Sequence, residues 1–116
     1  MSIKNLSASE LARGLKEDTV VLIDVREPVE YAAERIHGAL LFPLSTFDPR
    51  ALPDCGGRTV VFQCASGIRS ARAVAACQRA GLPHDSHLQG GILAWKMTRF
   101  PTVTVDPATG RTHDRK

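Results

Sequence analysis

Three short apolar runs constrain this chain most: Val20-Val21-Leu22-Ile23, Ala39-Leu40-Leu41-Phe42 and Val60-Val61-Phe62. Each is apolar at successive rather than alternate positions, the pattern of a strand covered on both faces. The first ends at Asp24, the second is stopped by Pro43, and the third runs into Gln63-Cys64. Between them lie segments patterned as helices: Ala8 to Leu15, Pro28 to Arg35, Ser70 to Ala80 and Ile92 to Thr98. A further short strand is expected around His84 to Leu88, before Gly90-Gly91. This alternation predicts an α/β domain with a mainly parallel central sheet of about five strands and helices on both faces.

The element boundaries carry matching chemistry. Ser7 and Glu10 can form a capping box, and Pro28 suits the first turn of the second helix. Gly81, with Pro83 close behind, would close the third helix. After Pro101 the pattern gives way to Asp106-Pro107-Ala108-Thr109-Gly110 and a charged end. The domain is therefore expected over residues 1–101, with 102–116 a loosely ordered tail. A chain of 116 residues, 43% hydrophobic, fits one domain with a core of its own.

Fifteen Lys and Arg against twelve Asp and Glu leave +3, too mild a surplus to imply nucleic-acid or membrane binding. It would suit a small anionic substrate. No apolar run approaches the roughly 20 residues that span a bilayer. The start, Met-Ser-Ile-Lys-Asn-Leu-Ser, has no signal-peptide h-region, so a cytoplasmic protein is expected, as monomer or homodimer. Cys55, Cys64 and Cys77 are an odd number without zinc spacing or a C-x-x-C pair, and read as free thiols. Nothing calls for a metal or an organic cofactor.

In open α/β sheets, ligands collect at the carboxyl ends of strands. Cys64 sits at that end of the strand Thr59 to Gln63 and opens the segment Cys64-Ala65-Ser66-Gly67-Ile68-Arg69-Ser70. Small, flexible residues leading into a helix let successive backbone N–H groups curl around one point, where the helix dipole adds partial positive charge. The Cys64 sulfur would occupy that point. Such surroundings favour thiolate and lower the thiol pKa from its reference of about 8.5. Arg69, with Arg72 further on, would add charge that draws in an anion. Cys77, three residues after Val74 on a helix, reads as core. Cys55 precedes Gly56-Gly57 in a turn and reads as incidental, a resolving disulfide with Cys64 being its functional alternative.

At this point the chain resembles a single-domain rhodanese, a sulfurtransferase that carries sulfur as a cysteine persulfide. The matching pieces occur in the family's order over roughly residues 3 to 101: Asp24-Val25-Arg26-Glu27, Tyr31, Ile36, Gly38-Ala39, Pro43-Leu44, the Cys64 segment, Gly90-Gly91 and Trp95. One stretch departs. The family often has Gly-His-Ile-Pro-Gly-Ala where this chain has Glu34-Arg35-Ile36-His37-Gly38-Ala39, a segment read as scaffold. The resemblance implies Cys64 as nucleophile and the backbone N–H groups of Ala65 to Arg69 as its anion cradle. Asp24 is read as a cap of nearby backbone donors rather than a catalytic carboxylate. Arg26 is placed near the pocket, either facing the anion or paired with a carboxylate such as Glu30 or Glu34. Trp95 reads as core, and Glu27, Glu30 and Glu34 as a solvated helix face rather than a metal site.

The implied reaction is double displacement. The Cys64 thiolate takes sulfur from thiosulfate or a similar small anionic donor, and a thiophilic acceptor removes it: cyanide in vitro, a thiol or protein in cells. Ala65-Ser66-Gly67-Ile68 is similar to the loops of mercaptopyruvate-using relatives, whereas Arg69 is similar to those of thiosulfate-using ones. Three alternatives stand beside this reading. One is a sulfur carrier loaded by a cysteine desulfurase, and another is a non-catalytic docking module. The third is a cysteine-dependent phosphatase of the dual-specificity cell-cycle type, or an arsenate reductase. Those last families hold their anion in Cys-x5-Arg loops, and the spacing here is Cys-x4-Arg.

Overall fold

The computed structural model describes residues 2–115. In chain order the elements are β1 (Lys4–Leu6), α1 (Ala8–Glu17), β2 (Val20–Asp24), α2 (Pro28–Ala33), β3 (Glu34–Arg35) and β4 (Leu40–Leu41), then two 3-10 turns at Leu44–Thr46 and Pro49–Ala51. There follow β5 (Thr59–Gln63), α3 (Ile68–Arg79), β6 (Ser86–Leu88), α4 (Gly91–Met97), β7 (Thr102–Val105) and β8 (Thr112–Arg115). The central sheet has five strands in the order β1-β6-β5-β2-β4, and every neighbouring pair is parallel.

In β2 and β5 the successive-apolar pattern has the physical cause expected of it, because side chains alternate across each strand and both sides are covered. The run 39–42 instead gives only the two-residue edge strand β4, with Leu40 exposed. Val21 and Ile23 of β2, with Val60 and Phe62 of β5, pack on one side against Ala73, Val74 and Cys77 of α3. Leu22 and Val61, with Leu88 of β6, pack on the other against Leu11 of α1 and Ile92 and Trp95 of α4. Phe62, Leu11, Leu22 and Ile23 are among the largest fully buried side chains. Each contributes roughly 1.5–3 kcal/mol by leaving water. Trp95 lies in this core as expected, its Nε1–H donating to the Pro101 carbonyl at 2.8 Å and its ring tilted against Phe100.

The helix ends follow the sequence signals. Ser7 Oγ accepts from the Glu10 N–H at 3.1 Å, and Glu10 Oε1 accepts from the Ser7 N–H at 2.9 Å. At the end of α3, Leu82 N–H donates to Cys77 O and Gly81 N–H to Gln78 O, with Gly81 at φ +77°. This is the Schellman closure that a glycine one residue beyond the cap permits.

Strand β1 is absent from the sequence expectation, and two further segments depart from it. The second helix stops at Ala33 instead of reaching Arg35, and Glu34–Arg35 extends into β3. The reason lies at the other end of the chain. Thr102-Val103-Thr104-Val105, read above as the start of a loose tail, is strand β7, which pairs antiparallel with both β3 and β8. Thr102 and Val103 are buried, and Thr102 Oγ1–H donates to Glu34 Oε2 at 2.5 Å. The Asp106–Gly110 stretch is a hairpin turn rather than a loss of order: Gly110 N–H donates to Asp106 O at 2.7 Å, and Asp106 N–H to Arg111 O at 2.8 Å.

The Glu34–Ala39 segment is scaffold in this structure. Ile36 and Ala39 are buried, Tyr31 O–H donates to Ala39 O at 2.7 Å, and the Arg35 guanidinium lies 4.9 Å from the Tyr31 ring centroid. No helix among the described residues is long and apolar enough to cross a membrane.

Candidate active site

Cys64 follows β5 directly, at the carboxyl end of the central sheet. Its residue is only 1% exposed, and its sulfur is surrounded by the chain that comes after it. Gly67 N–H donates to Sγ at 3.0 Å and Ser70 N–H at 3.3 Å, while the Ser70 hydroxyl lies 3.6 Å away. Gly67 makes this curl possible: it is the N-cap of α3 with φ +104°, a conformation that side-chain-bearing residues rarely adopt. The first turn of α3 thus places its free N–H groups around the sulfur. Burial pushes the Cys64 thiol up. The hydrogen bond with the Ser70 hydroxyl and those from the Ser70, Gly67 and Ser66 N–H groups outweigh burial, and the thiol ends below its ordinary value. Cys77, with burial and no such donors, is pushed up to about 11. Cys55 is also buried, its Sγ donating to Pro53 O at 3.3 Å, and all three cysteines are free thiols.

The far wall of the segment is held by α4. Ile92 N–H donates to Cys64 O at 2.9 Å and Leu93 N–H to Ala65 O at 3.2 Å, so helix-start donors are satisfied by the very carbonyls that flank the sulfur. This approach requires Gly91. A Cβ there would overlap Cys64 O and the Ala65 carbonyl group, and its φ is +62°. The Gly90-Gly91 pair, part of the family resemblance, therefore has a geometric reason to be present.

Arg69 does not present a free charge. Its guanidinium makes a two-pronged pair with Glu30, Nη1 to Oε1 at 2.7 Å and Nη2 to Oε2 at 2.9 Å. The hydrogen bond from Arg69 holds the Glu30 carboxyl at about 2. Arg69 is raised in turn, first by the same bond. The glutamates in and beside α2, expected as a solvated face, are thus engaged. Glu30 holds Arg69 and also accepts from Glu27 N–H, Glu27 accepts from the Ser45 hydroxyl at 2.6 Å, and Glu34 pairs with Lys96 at 2.8 Å.

Asp24 and Arg26 are both buried and turned towards each other. Arg26 Nη2–H donates to Asp24 Oδ2 at 2.9 Å and to the Glu34 carbonyl at 2.6 Å, and the Arg26 backbone N–H donates to Asp24 Oδ1 at 3.0 Å. Asp24 therefore caps a backbone donor two residues on. Arg26, read in sequence as facing an anion or pairing with Glu30 or Glu34, instead pairs with the side chain of Asp24 and donates to the backbone carbonyl of Glu34. The pair braces the end of β2, where Val25 N–H donates to Gln63 O beside Cys64.

Sequence reasoning passed over two residues. His87 of β6 places Nδ1 2.8 Å from the Ser70 hydroxyl, and its Nε2 lies 2.7 Å from Asn5 Oδ1 of β1. A lone histidine in a short strand, with its second partner 82 residues away, leaves no local pattern to find.

A family profile described as "Rhodanese-like domain" matches residues 7–98. The chain belongs to the rhodanese-like family. Among its relatives, protein slr1261 of Synechocystis is 44% identical over 88 residues, which are 76% of this chain and 49% of that protein. A protein named "Sulfurtransferase" from Allochromatium vinosum is 32% identical over 102 residues, covering 87% of this chain and 95% of that one. The solution structure of the rhodanese-like domain of Anabaena Alr3790 superposes with a TM-score of 0.75 at 26% identity, covering 97% of this chain and 90% of that one. The chain spans about half the length of the Synechocystis relative. The all-parallel five-stranded sheet agrees with the α/β class expected from the strand–helix alternation, and the rhodanese-like fold with the one the resemblance implies.

Proposed function

We propose that this rhodanese-like protein is a sulfurtransferase that carries sulfane sulfur as a persulfide on Cys64. The observation that carries the reading is the set of N–H groups aimed at a buried sulfur: Gly67 at 3.0 Å and Ser70 at 3.3 Å, with the Ser70 hydroxyl behind them. In the first half-reaction the Cys64 thiolate attacks the outer sulfur of thiosulfate or a similar small anion. The S–S bond of the donor breaks, and sulfite leaves with the bonding electron pair. The persulfide anion then rests among the N–H groups of residues 65–70, as a developing anion does in an oxyanion hole. In the second, a thiophilic acceptor attacks the terminal sulfur and the Cys64 thiolate is released. Cyanide serves in vitro, and a protein or small-molecule thiol in cells. Ala65, Ser66, Gly67, Ile68, Arg69 and Ser70 form the binding loop in this reading, while Asp24 and Arg26 support it from the end of β2. The steps as written call on no metal or organic cofactor.

The test is the intact mass of wild type and Cys64→Ser after incubation with thiosulfate, then with cyanide. The expected result is a gain of one sulfur on the wild type alone, removed by cyanide with release of thiocyanate. If neither thiosulfate, mercaptopyruvate nor a cysteine desulfurase loads Cys64, the reading is wrong.

A further inference from the structure

Ser70 links the sulfur to a second titratable group. Its hydroxyl lies 3.6 Å from Cys64 Sγ and 2.8 Å from His87 Nδ1, and His87 Nε2 lies 2.7 Å from Asn5 Oδ1. An amide oxygen only accepts, so Nε2 carries the hydrogen of the neutral imidazole and Nδ1 is left as an acceptor. Ser70 O–H then donates to Nδ1, closer than its other acceptor, Gly67 O at 3.2 Å, and keeps a lone pair for the S–H of Cys64. A continuous hydrogen-bonded chain therefore leads from an almost fully buried thiol through α3 and β6 to Asn5, an exposed residue on the edge strand β1.

We propose that His87 is a positioning residue that receives the proton of Cys64 through Ser70. The inference rests on the reading of Cys64 as the nucleophile and says how a buried thiol ionises. The S–H proton passes to Ser70 Oγ while the hydroxyl proton passes to His87 Nδ1, and the Nε2 hydrogen stays on Nε2, still donated to Asn5 Oδ1. Thiol and imidazole become thiolate and imidazolium, and the buried cluster gains no net charge. The bonds between the three groups then run the other way: Nδ1–H donates to Ser70 Oγ, and Ser70 O–H donates to the thiolate. The sulfur thereby gains the Ser70 hydroxyl as a donor beside the N–H groups of the loop.

Facing the His87 ring are Asn5 of β1 and Phe62 of β5, each in register with His87, Ser70 of α3, and the Gly67 turn, all uncharged. Burial disfavours the imidazolium in the absence of a counter-charge, and lowers His87 below its ordinary value. The thiolate supplies that counter-charge, so Cys64 and His87 titrate as a coupled pair with two macroscopic steps.

Site-resolved alkylation of Cys64 by iodoacetamide, followed from about pH 5 to about pH 9 across both reference values, reads the thiolate population directly. The wild type is expected to gain reactivity in two steps. His87→Asn keeps a polar side chain that cannot take up a proton. It should collapse the profile to one step at higher pH and lower reactivity at neutral pH about tenfold, one pKa unit. Asn5→Asp, at an exposed position, places a carboxylate on Nε2, favours the imidazolium and should raise reactivity near pH 6. A merely structural role for the chain gives no such gain, and this variant decides the matter if His87→Asn does not fold. A one-step wild-type profile, or an Asn5→Asp profile identical to the wild type, overturns the proposal. Thiosulfate loading of the wild type is scored separately. Failure to load with the two-step profile intact removes the sulfurtransferase reading alone, and loading with a one-step profile removes the relay alone.

Discussion

Arg69 is bound to Glu30 by both of its terminal nitrogens, at 2.7 and 2.9 Å, although 39 residues separate them in sequence. The contact ties α2 to the loop around Cys64 and neutralises the one loop cation that the sequence offers to an anionic donor. It also bears on substrate choice. An exposed, unpaired arginine would favour a dianion such as thiosulfate, whereas a compensated one leaves the N–H groups to do most of the anion binding.

Glu30→Gln should therefore separate the two roles of the pair. With the carboxylate removed, Arg69 regains its full charge, and KM for thiosulfate is expected to fall several-fold while the maximal rate changes little. The same variant carries a pH signature. Glu30 titrates at about 2 in the fold against an ordinary value of 4.5, so the pair stabilises fully above 4.5 and its contribution disappears as pH falls to about 2. Urea unfolding of wild type and Glu30→Gln should show a gap at neutral pH that closes over this window. Both side chains are about one-third exposed, and the gap should stay within about 1 kcal/mol. A gap that widened on acidification would contradict the assignment.

Asp24 and Arg26 make the opposite kind of pair. Both are buried, and truncating one leaves the other charge without its partner. Asp24→Ala is expected to cost about 3–5 kcal/mol in denaturant unfolding. Its folded fraction should still load sulfur on Cys64 at a rate close to wild type, because Asp24 points at Arg26 rather than at the sulfur. A variant of near-native stability that failed to load would return Asp24 to the chemistry.

At Gly91 the start of α4 closes directly onto the Cys64 loop. Gly91→Ala brings a Cβ against the Cys64 and Ala65 carbonyls at a positive φ, and should destabilise by about 2 kcal/mol or more while slowing persulfide loading. Gly38→Ala is the matched control: its φ is +88° but no atom lies within 4 Å of the added carbon. It should show only the backbone strain, about 1–2 kcal/mol, with loading unchanged on the folded fraction. Equal effects of the two substitutions on loading would mean that the approach of α4 to the loop does not matter.

What was legible in the sequence follows the range over which each signal acts. The buried strands β2 and β5 declare themselves because three or four adjacent residues share one requirement, burial on both faces. The Ser7–Glu10 box and Gly81 are legible for the same reason, since cap and partner lie within a few residues. The Cys64 cradle is also local, because a strand end, a glycine and a helix start within seven residues are enough to predict converging N–H groups. β7 was missed because four alternating residues are a weak signal, and because its partner β3 has only two residues, themselves patterned as the end of a helix. The pairing of Arg69 with Glu30, of Arg26 with Asp24, and the chain from Ser70 to Asn5 depend on which side chains the folded sheet brings together. No periodicity encodes that.

The loop length makes a final prediction about oxyanion chemistry. A loop that hydrolyses phosphate monoesters must hold a tetrahedral anion above the sulfur, with its N–H groups aimed at oxygens that lie beyond Sγ. Here two of those groups, from Gly67 and Ser70, reach Sγ itself at 3.0 and 3.3 Å, and the arginine that would clamp the equatorial oxygens is held by Glu30. The spacing Cys-x4-Arg leaves one residue fewer than the phosphatase loops use to widen the cradle. p-Nitrophenyl phosphate should therefore show no hydrolysis that depends on Cys64, and inorganic phosphate or arsenate should not slow alkylation of that residue. Glu30→Gln should not create the activity, because freeing the guanidinium does not lengthen the loop. Phosphate hydrolysis by the wild type that is lost in Cys64→Ser would place the protein with the cysteine phosphatases. The short loop would then have to open when the anion binds.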